Sequence, residues 1–406
     1  MADERSIVHM DLDTFFVSCE RMLDSRLAGK PILIGGTTDR GVVASCSYEA
    51  RRFGIHSAMP MKMARERCPE AIVIKGNSET YTKYSRMVTE IISEAVPLYE
   101  KSSIDEFYID LSGMDAFFGC FQYTAELRDK ITRETGLPIS FGLSVNKTVS
   151  KIATGEAKPD NKMQIFHGLE KEFLGPLSVR KIPMVGLKTY QALCDLGVRK
   201  IATVQSMPVE MMEGALGQNG AAIWRKAQGI DLSPVVQYNE RKSISTERTF
   251  DKDTIDMVKL RSIMLVMTES LAFQLRQGAK VTACITVKIR YSDFQTHTLQ
   301  KRIPYTAADH EILPIVMELF AKLYNRRLLV RLVGIKFGEL VNGNHQLNLF
   351  DDPGRMAGLY QAMDLIRNRY GDRAVMRAAG MDNKQLSRFN PFKGESPLLL
   401  PGNPVS

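Results

Sequence analysis

The sequence predicts an α+β protein built from several domains, and three observations carry that prediction. A chain of 406 residues exceeds what one ordinary hydrophobic core accommodates. Over the first 170 residues, strand and helix patterns mix without the regular alternation of a doubly wound sheet. Beyond them lies a stretch that reads as helix throughout, and strands return only after residue 240.

Taken in order, SIVHMDLDTFF reads as a buried strand ending near two acidic residues, and FFVSCERMLD continues with helical periodicity. GKPILIGG and GVVASCS are short strands, and YEARRFGI opens a second helix. TYTKYSRMVTEIISEAV is a long amphipathic helix, SSIDEFYIDLSG a strand or hairpin, and ISFGLSVN a strand that leads into the helix KTVSKIATGEAK. From Glu170 to Ile230 the pattern is helical, with Gly-containing turns at MVGLK, DLGV and ALGQNG. VTACITVKIRYSD and LLVRLVGIKFGEL alternate as half-buried strands do, and the helical runs around VKLRSIMLVMTESLAFQLR and ILPIVMELFAKLYN complete a small sheet-and-helix domain. From Asn342 onward the sequence reads as a tail. It holds one helix with Met356, Leu359, Tyr360, Met363 and Ile366 on a stripe, followed by Pro-rich sequence.

A hydrophobic share of 44% and a charged share of 25% describe a globular protein. No apolar run approaches a membrane span, and MADERSIVHMD lacks the apolar stretch of a signal peptide, so a cytoplasmic protein with no membrane partner is expected. The six cysteines are scattered without a CxxC pair, which argues against a zinc site or a disulfide framework. The net charge of +8 is unevenly spread: Arg241 to Leu340 holds 17 Lys and Arg against 10 Asp and Glu. One quarter of the chain therefore carries nearly all the excess, as suits a module that follows a phosphate backbone.

The residues with most chemistry are acidic. Asp11 and Asp13 flank Leu12 at a strand end, and Asp105 and Glu106 are adjacent. Neighbours on a regular strand point to opposite faces, so one site uses both only at a bend or hairpin tip. Phosphoryl transfer between nucleotides commonly uses two Mg²⁺ ions, and Mg²⁺ takes oxygen ligands from few protein groups. A lone Asp-x-Asp is more often a strand cap; here the surroundings outweigh that reading. In YEARRFG, Tyr48 and Arg51 lie one helical turn apart and offer a hydroxyl and a bidentate fork to phosphate, and EAKPDN adds the point charge of Lys158. His9, two residues before Asp11 on the same strand face, is read as structural.

MDLDTFFVSCE, ASCSYEARRFGI, SSIDEFYIDLSG, GLSVNKTVSKIA with EAKPDN, and IPMVGLKTYQALCDLGV together resemble the Y-family, or translesion, DNA polymerases, in that family's order and spacing over about the first 340 residues. The bacterial polymerase IV or polymerase V catalytic-subunit type is the nearest likeness. The resemblance implies a right-hand polymerase with a palm (1–16 and 75–168), fingers (17–74), a helical thumb with a helix-hairpin-helix turn at IPMVGLK (169–232), an α/β little finger (241–341) and a C-terminal tail (342–406). Asp11, Asp105, Glu106 and the Leu12 carbonyl match its ligands for two Mg²⁺ ions. Phe16 matches the steric gate that rejects a 2′-hydroxyl. Tyr48, Arg51, Lys158 and Ser45 match triphosphate contacts, Val42 and Ala58 match small side chains roofing the nascent base pair, and Asp13 has no metal role.

Gln346, Leu347, Leu349 and Phe350 in QLNLF resemble the peptide by which bacterial polymerases bind the sliding clamp. The expected partners are then primer-template DNA, dNTPs and the clamp, with the polymerase itself a monomer. The implied reaction is template-directed, low-fidelity addition of dNTPs to a primer 3′-hydroxyl across lesions. The alternatives are a non-catalytic DNA-binding scaffold of the same fold, which would be expected to have lost the carboxylates, and another two-metal enzyme such as a cyclase or nuclease, which needs neither the thumb nor the basic module.

Overall fold

A computed structural model of the chain describes residues 5–114, 119–237, 240–343, 353–371 and 374–381. They fall into two compact units that divide at residue 240, and each is described by itself.

The first unit is organised by a five-stranded sheet in the order Tyr99–Lys101, Glu106–Asp110, Ile7–Leu12, Ile139–Ser144, Lys162–Gln164. Ile7–Leu12 is central and antiparallel to both neighbours, so Asp11 pairs with Glu106 on one side and Ser140 on the other. Strand alternation divides its side chains. Val8, Met10 and Leu12 enter a core with Phe107, Ile109 and Phe141, covered by the helices Ser78–Ala95 and Cys120–Thr135 through Val88, Ile92 and Ile131. His9 and Asp11 occupy the other face, against the helix Lys147–Ala157. Asn146 caps that helix by accepting from the Val149 amide. The helix lies directly on the sheet at Gly142, where a Cβ would sit 2.4 Å from the Ser150 carbonyl and 2.6 Å from the Thr154 nitrogen. Only glycine permits that approach, which brings Thr154 onto His9.

A second, three-stranded sheet (Val43–Cys46, Ile32–Gly35, Ile72–Ile74) packs its own core of Leu33, Val43, Cys46, Met59 and Met61. Residues 170–228 are helical, as the sequence predicts, around Leu174, Leu193, Ile201, Val204, Met212 and Ile223. Residues 229–236 return to the large sheet. Asn146 donates to the Gly229 carbonyl, Arg5 to the Ser233 carbonyl, and the Val236 amide to Glu100, which also pairs with Lys147 at 2.6 Å.

The second unit holds a five-stranded antiparallel sheet, four strands in the order Thr296–Thr306, Lys280–Tyr291, Val330–Gly338, Ser243–Thr254, with the short strand Val341–Asn342 pairing with the start of Lys280–Tyr291. The helices Met257–Gln277 and Asp309–Leu323 cover one face over Ile285, Val287, Ile289, Ile335 and Phe337. By alternation the opposite face carries Lys288, Arg290 and Lys336, with Glu247 paired to Lys288.

The helix expected after Asn342 is Pro353–Tyr370, and it and the turn at Ala378–Gly380 group with the second unit. Tyr360 is buried and its hydroxyl accepts from the His310 amide at 3.2 Å; Arg276 pairs with Asp364 at 2.6 and 2.9 Å; Arg377 reaches Glu269 and Asp309. Leu359 and Ile366 of the expected stripe stay exposed. The docking face is polar and reciprocally paired, and a hydrophobic period does not register such a face. All six cysteines are free thiols, five of them buried, which fits their reading as reduced core residues. No helix among the described residues is long and apolar enough to cross a membrane.

Candidate active site

Asp11 ends the central strand. Asp105 and Glu106 begin the next one at a hairpin tip, where the Ser102 amide donates to the Glu106 carbonyl and the Leu12 amide to the Asp105 carbonyl, both at 3.0 Å. This bend lets adjacent acids serve one site. Ser103 locks it, donating to Asp105 at 2.5 Å and accepting from the Glu106 amide at 3.1 Å.

The three carboxylates line one cleft of about 670 Å³, together with Phe16, Ser45, Arg51 and Lys158. Lys158 is ion-paired to Asp11 and stands 3.3 Å from Asp13, and Lys151 pairs with Glu106 at 2.6 Å. The Lys147–Ala157 helix carries Lys151, and Lys158 follows seven residues later as its C-cap. Lys151 was missed in the sequence, although that seven-residue spacing was readable.

Burial pushes Asp11 up to about 7, with repulsion from Asp105 and Glu106 adding to it and Lys158 opposing. Asp105 is raised too, by burial and by Glu106, against the Ser103 hydrogen bond. Two lysines therefore leave the cluster with uncompensated negative charge. Burial, with Lys151 and Lys158 nearby, holds His9 well below the usual imidazole value, hence neutral.

Asp13, which the resemblance leaves out of the metal set, is enclosed by protein donors. It is 1% exposed and accepts from the Ser140 hydroxyl at 2.7 Å, the Asp160 amide at 2.6 Å and the Tyr48 hydroxyl at 3.2 Å. Through it Tyr48 is tied to the carboxylate strand, and Arg51 stacks over the Tyr48 ring at 4.8 Å. Burial, then the Asp13 charge, raises the Tyr48 phenol, which stays a donor. Phe16 is 6% exposed and stacks on Tyr81, with centroids 4.4 Å apart at 14°. Tyr81 is anchored by its hydroxyl on Glu20 at 2.5 Å. No motif pointed to Tyr81, which sits 65 residues away on another helix. Ala58 is exposed and Val42 is 49% exposed, joined to Pro60 by an isolated bridge. Gln346, Leu347, Leu349 and Phe350 lie outside the described residues.

Residues 10–155 match the impB/mucB/samB family, and residues 241–349 match that family's C-terminal domain. DNA polymerase IV of Dehalococcoides mccartyi (strain BAV1) is 36% identical over 91% of this chain and 96% of its own length. The chain belongs to the Y-family of translesion DNA polymerases. It is thus a DNA-directed DNA polymerase by family. DNA polymerase IV of Streptococcus pneumoniae serotype 4 is also 36% identical, over 82% of this chain and 96% of the relative. A solved Y-family DNA polymerase chimera of Dbh and Dpo4 superposes with a TM-score of 0.73 at 24% identity, covering 83% of this chain and 99% of that one. That likeness establishes the fold, a right-hand α+β polymerase fold with an additional domain.

Proposed function

We propose that this polymerase performs template-directed translesion synthesis, joining dNTPs to a primer 3′-hydroxyl by two-metal nucleotidyl transfer. The observation that carries the proposal is the convergence of Asp11, Asp105 and Glu106 on one cleft whose other walls include a stacked Phe and the cations Arg51, Lys151 and Lys158. The donor set fits a hard divalent cation: three carboxylates on one cleft, Asp11 and Asp105 with raised pKa, and each nearby lysine touching the set at a single point. Asp11, Asp105, Glu106 and the Leu12 carbonyl would hold two Mg²⁺ ions, which lower the pKa of the attacking hydroxyl and neutralise the pyrophosphate that leaves.

The chain's own residues do the rest. Lys158, a single flexible ammonium, exchanges Asp11 for a triphosphate oxygen as substrate enters, and Arg51 and Tyr48, with Ser45 beside them, hold the remaining phosphates. Phe16, pressed against Tyr81, leaves no room for a 2′-hydroxyl. Under this reading the five-stranded sheet with residues 1–16 and 75–168 is the palm, 17–74 the fingers, 169–232 the thumb and 241–341 the little finger. Lys288, Arg290 and Lys336 on the open sheet face then meet DNA phosphates. Residues 346–350 tether the enzyme to the sliding clamp, and the chain acts as a monomer in the cytoplasm.

Primer extension on undamaged and lesion-bearing templates tests this directly. Wild type with Mg²⁺ extends both, and Asp105→Ala with Glu106→Ala extends neither. A wild-type protein that adds no nucleotide to any primed template refutes the proposal.

A further inference from the structure

The reaction proposed above gives Lys158 a destination, the triphosphate, and gives Lys151 none. The two lysines stand on different sides of the carboxylates. Lys158, ion-paired to Asp11, lies 3.3 Å from Asp13, which also accepts from the Tyr48 hydroxyl, and Arg51 lies over the Tyr48 ring. Lys158, Tyr48 and Arg51 thus form one group on the Asp11 side, where Ile7–Leu12 pairs with Ile139–Ser144 and Ser140 donates to Asp13. Glu106 begins the strand on the opposite flank of Ile7–Leu12. There the Lys151 ammonium meets Glu106 at 2.6 Å and no other group among the described residues, and its side chain is 33% exposed. One turn earlier on the same helix, Lys147 is fully committed. It donates to Glu100 at 2.6 Å and to the Pro234 carbonyl at 3.2 Å, and it lies over the Tyr108 ring at 4.7 Å. Lys151 has a single, exchangeable partner.

Both Lys151 and Lys158 line the cleft. In-line phosphoryl transfer puts the attacking and leaving oxygens on opposite sides of the reacting phosphorus. With the triphosphate-holding cations on the Asp11 side, the primer end falls on the Glu106 side. Once Glu106 serves as a metal ligand, its carboxylate no longer holds the ammonium, because two cations compete for one anion. A lysine released there is a point charge on a flexible stem. The anion that a primer terminus brings with it is its last phosphodiester. We infer that Lys151 leaves Glu106 to bind the 3′-terminal phosphodiester of the primer, and so helps to fix the attacking hydroxyl. The inference rests on the polymerase reading. It supplies a contact to the primer backbone that carboxylates, being anionic, cannot make, and one that is blind to base sequence.

The test is binding of the full chain to primer-template DNA with Mg²⁺ and no dNTP, read by fluorescence anisotropy. Two primers are compared, one ordinary and one whose 3′-terminal phosphodiester is replaced by a neutral methylphosphonate. Wild type should bind the neutral primer about tenfold more weakly, the scale of one hydrogen bond to a charged group. Lys151→Met should bind both primers alike, as weakly as wild type binds the neutral one, and its salt dependence should flatten by about one phosphate contact. Lys151→Arg keeps a cation and should restore most of the preference; with circular dichroism as a fold check, it also gives an answer should the Met variant misfold. A residue that only steadies Glu106 would weaken both primers equally and leave the preference in place. In single-nucleotide extension, Lys151→Met should raise the KM for primer and leave that for dNTP unchanged. A preference that persists in Lys151→Met, its absence in wild type, or a defect confined to the dNTP KM overturns the assignment. Failure of the polymerase reading looks different. Wild type then extends no primed template, whereas a wild type that extends the ordinary primer yet ignores the linkage removes only the role of Lys151.

Discussion

Each unit of this polymerase gathers carboxylates, and Asp309 in the second is compensated in the opposite way to Asp11 and Asp105 in the first. In the second unit Asp309 is 0% exposed, and the Arg377 guanidinium reaches it at 3.1 and 3.2 Å while also reaching Glu269 at 2.8 Å. Burial alone would raise Asp309, but hydrogen bonds from Tyr360 and Arg377 outweigh it and hold the carboxyl below its usual value. In the first unit Asp11 and Asp105 are half-buried in the cleft, lysine ammoniums touch the cluster at single points, and the acids are raised. A planar fork with several fixed bonds completes a carboxylate and makes it structural. A point charge on a flexible stem leaves it able to trade partners. Both groups are acidic, and the kind of partner is what separates the structural one from the cation site.

The largest effect that sharpens this contrast comes from deleting partners. Arg377→Ala leaves Glu269 and Asp309 buried without their cation and should cost about 3 kcal/mol or more of stability, the usual consequence of breaking a buried pair. Asp105→Ala with Glu106→Ala removes mutual repulsion and should leave the melting temperature unchanged or higher while abolishing extension. Thermal melts of both proteins decide the matter, and equal destabilisation would erase the distinction.

pH comes next. Asp11 has a folded value near 7 against 3.8 when unperturbed. Its protonated form therefore contributes stability that is fully present below 3.8 and gone once pH has risen past about 7. A divalent cation must displace that proton, so its affinity should fall about tenfold per pH unit below 7 and level off above it. Asp309, with its lowered value, contributes stability in the opposite sense, lost only as the solution becomes acidic enough to protonate it in the folded protein. Cation titration from pH 5.5 to 8 showing a flat profile would contradict the first half of this account.

The smallest effects concern the sugar. Phe16→Ala should raise ribonucleotide incorporation by about tenfold to a hundredfold, the range of a relieved steric clash of ~1–3 kcal/mol. Tyr81→Leu should raise it less, since an aromatic pair is worth ~0.5–1.5 kcal/mol. Single-nucleotide kinetics with dNTP and rNTP rank the two, and a larger effect at Tyr81 would make it the gate.

Much of this was legible in the chain. The strand IVHMDL, the helices of residues 170–228 and the basic second unit follow from local pattern, because periodicity encodes which face a residue occupies, whereas the gathering of Asp11, Asp105, Glu106, Phe16 and Lys158 was implied only by the family resemblance of the motifs that hold them. What pattern could not supply depends on residues far apart in sequence. What encloses Asp13, namely Ser140, Asp160 and Tyr48, only the folded chain supplies. Tyr81 met Phe16 only through the packing of two helices. The helix Pro353–Tyr370 docked through Tyr360 and Asp364, whose partners Arg276 and His310 lie 50 or more residues earlier.

His9 shows the division most sharply. By itself the sequence determined that it shares a strand face with Asp11, since alternation along a strand is a local property. That Thr154 meets its Nδ1 at 2.9 Å was decided by the fold, because Gly142 lets a helix lie directly on the sheet. Side-chain direction is written into the backbone period, but protonation and compensation are set by neighbours that only the folded chain assembles.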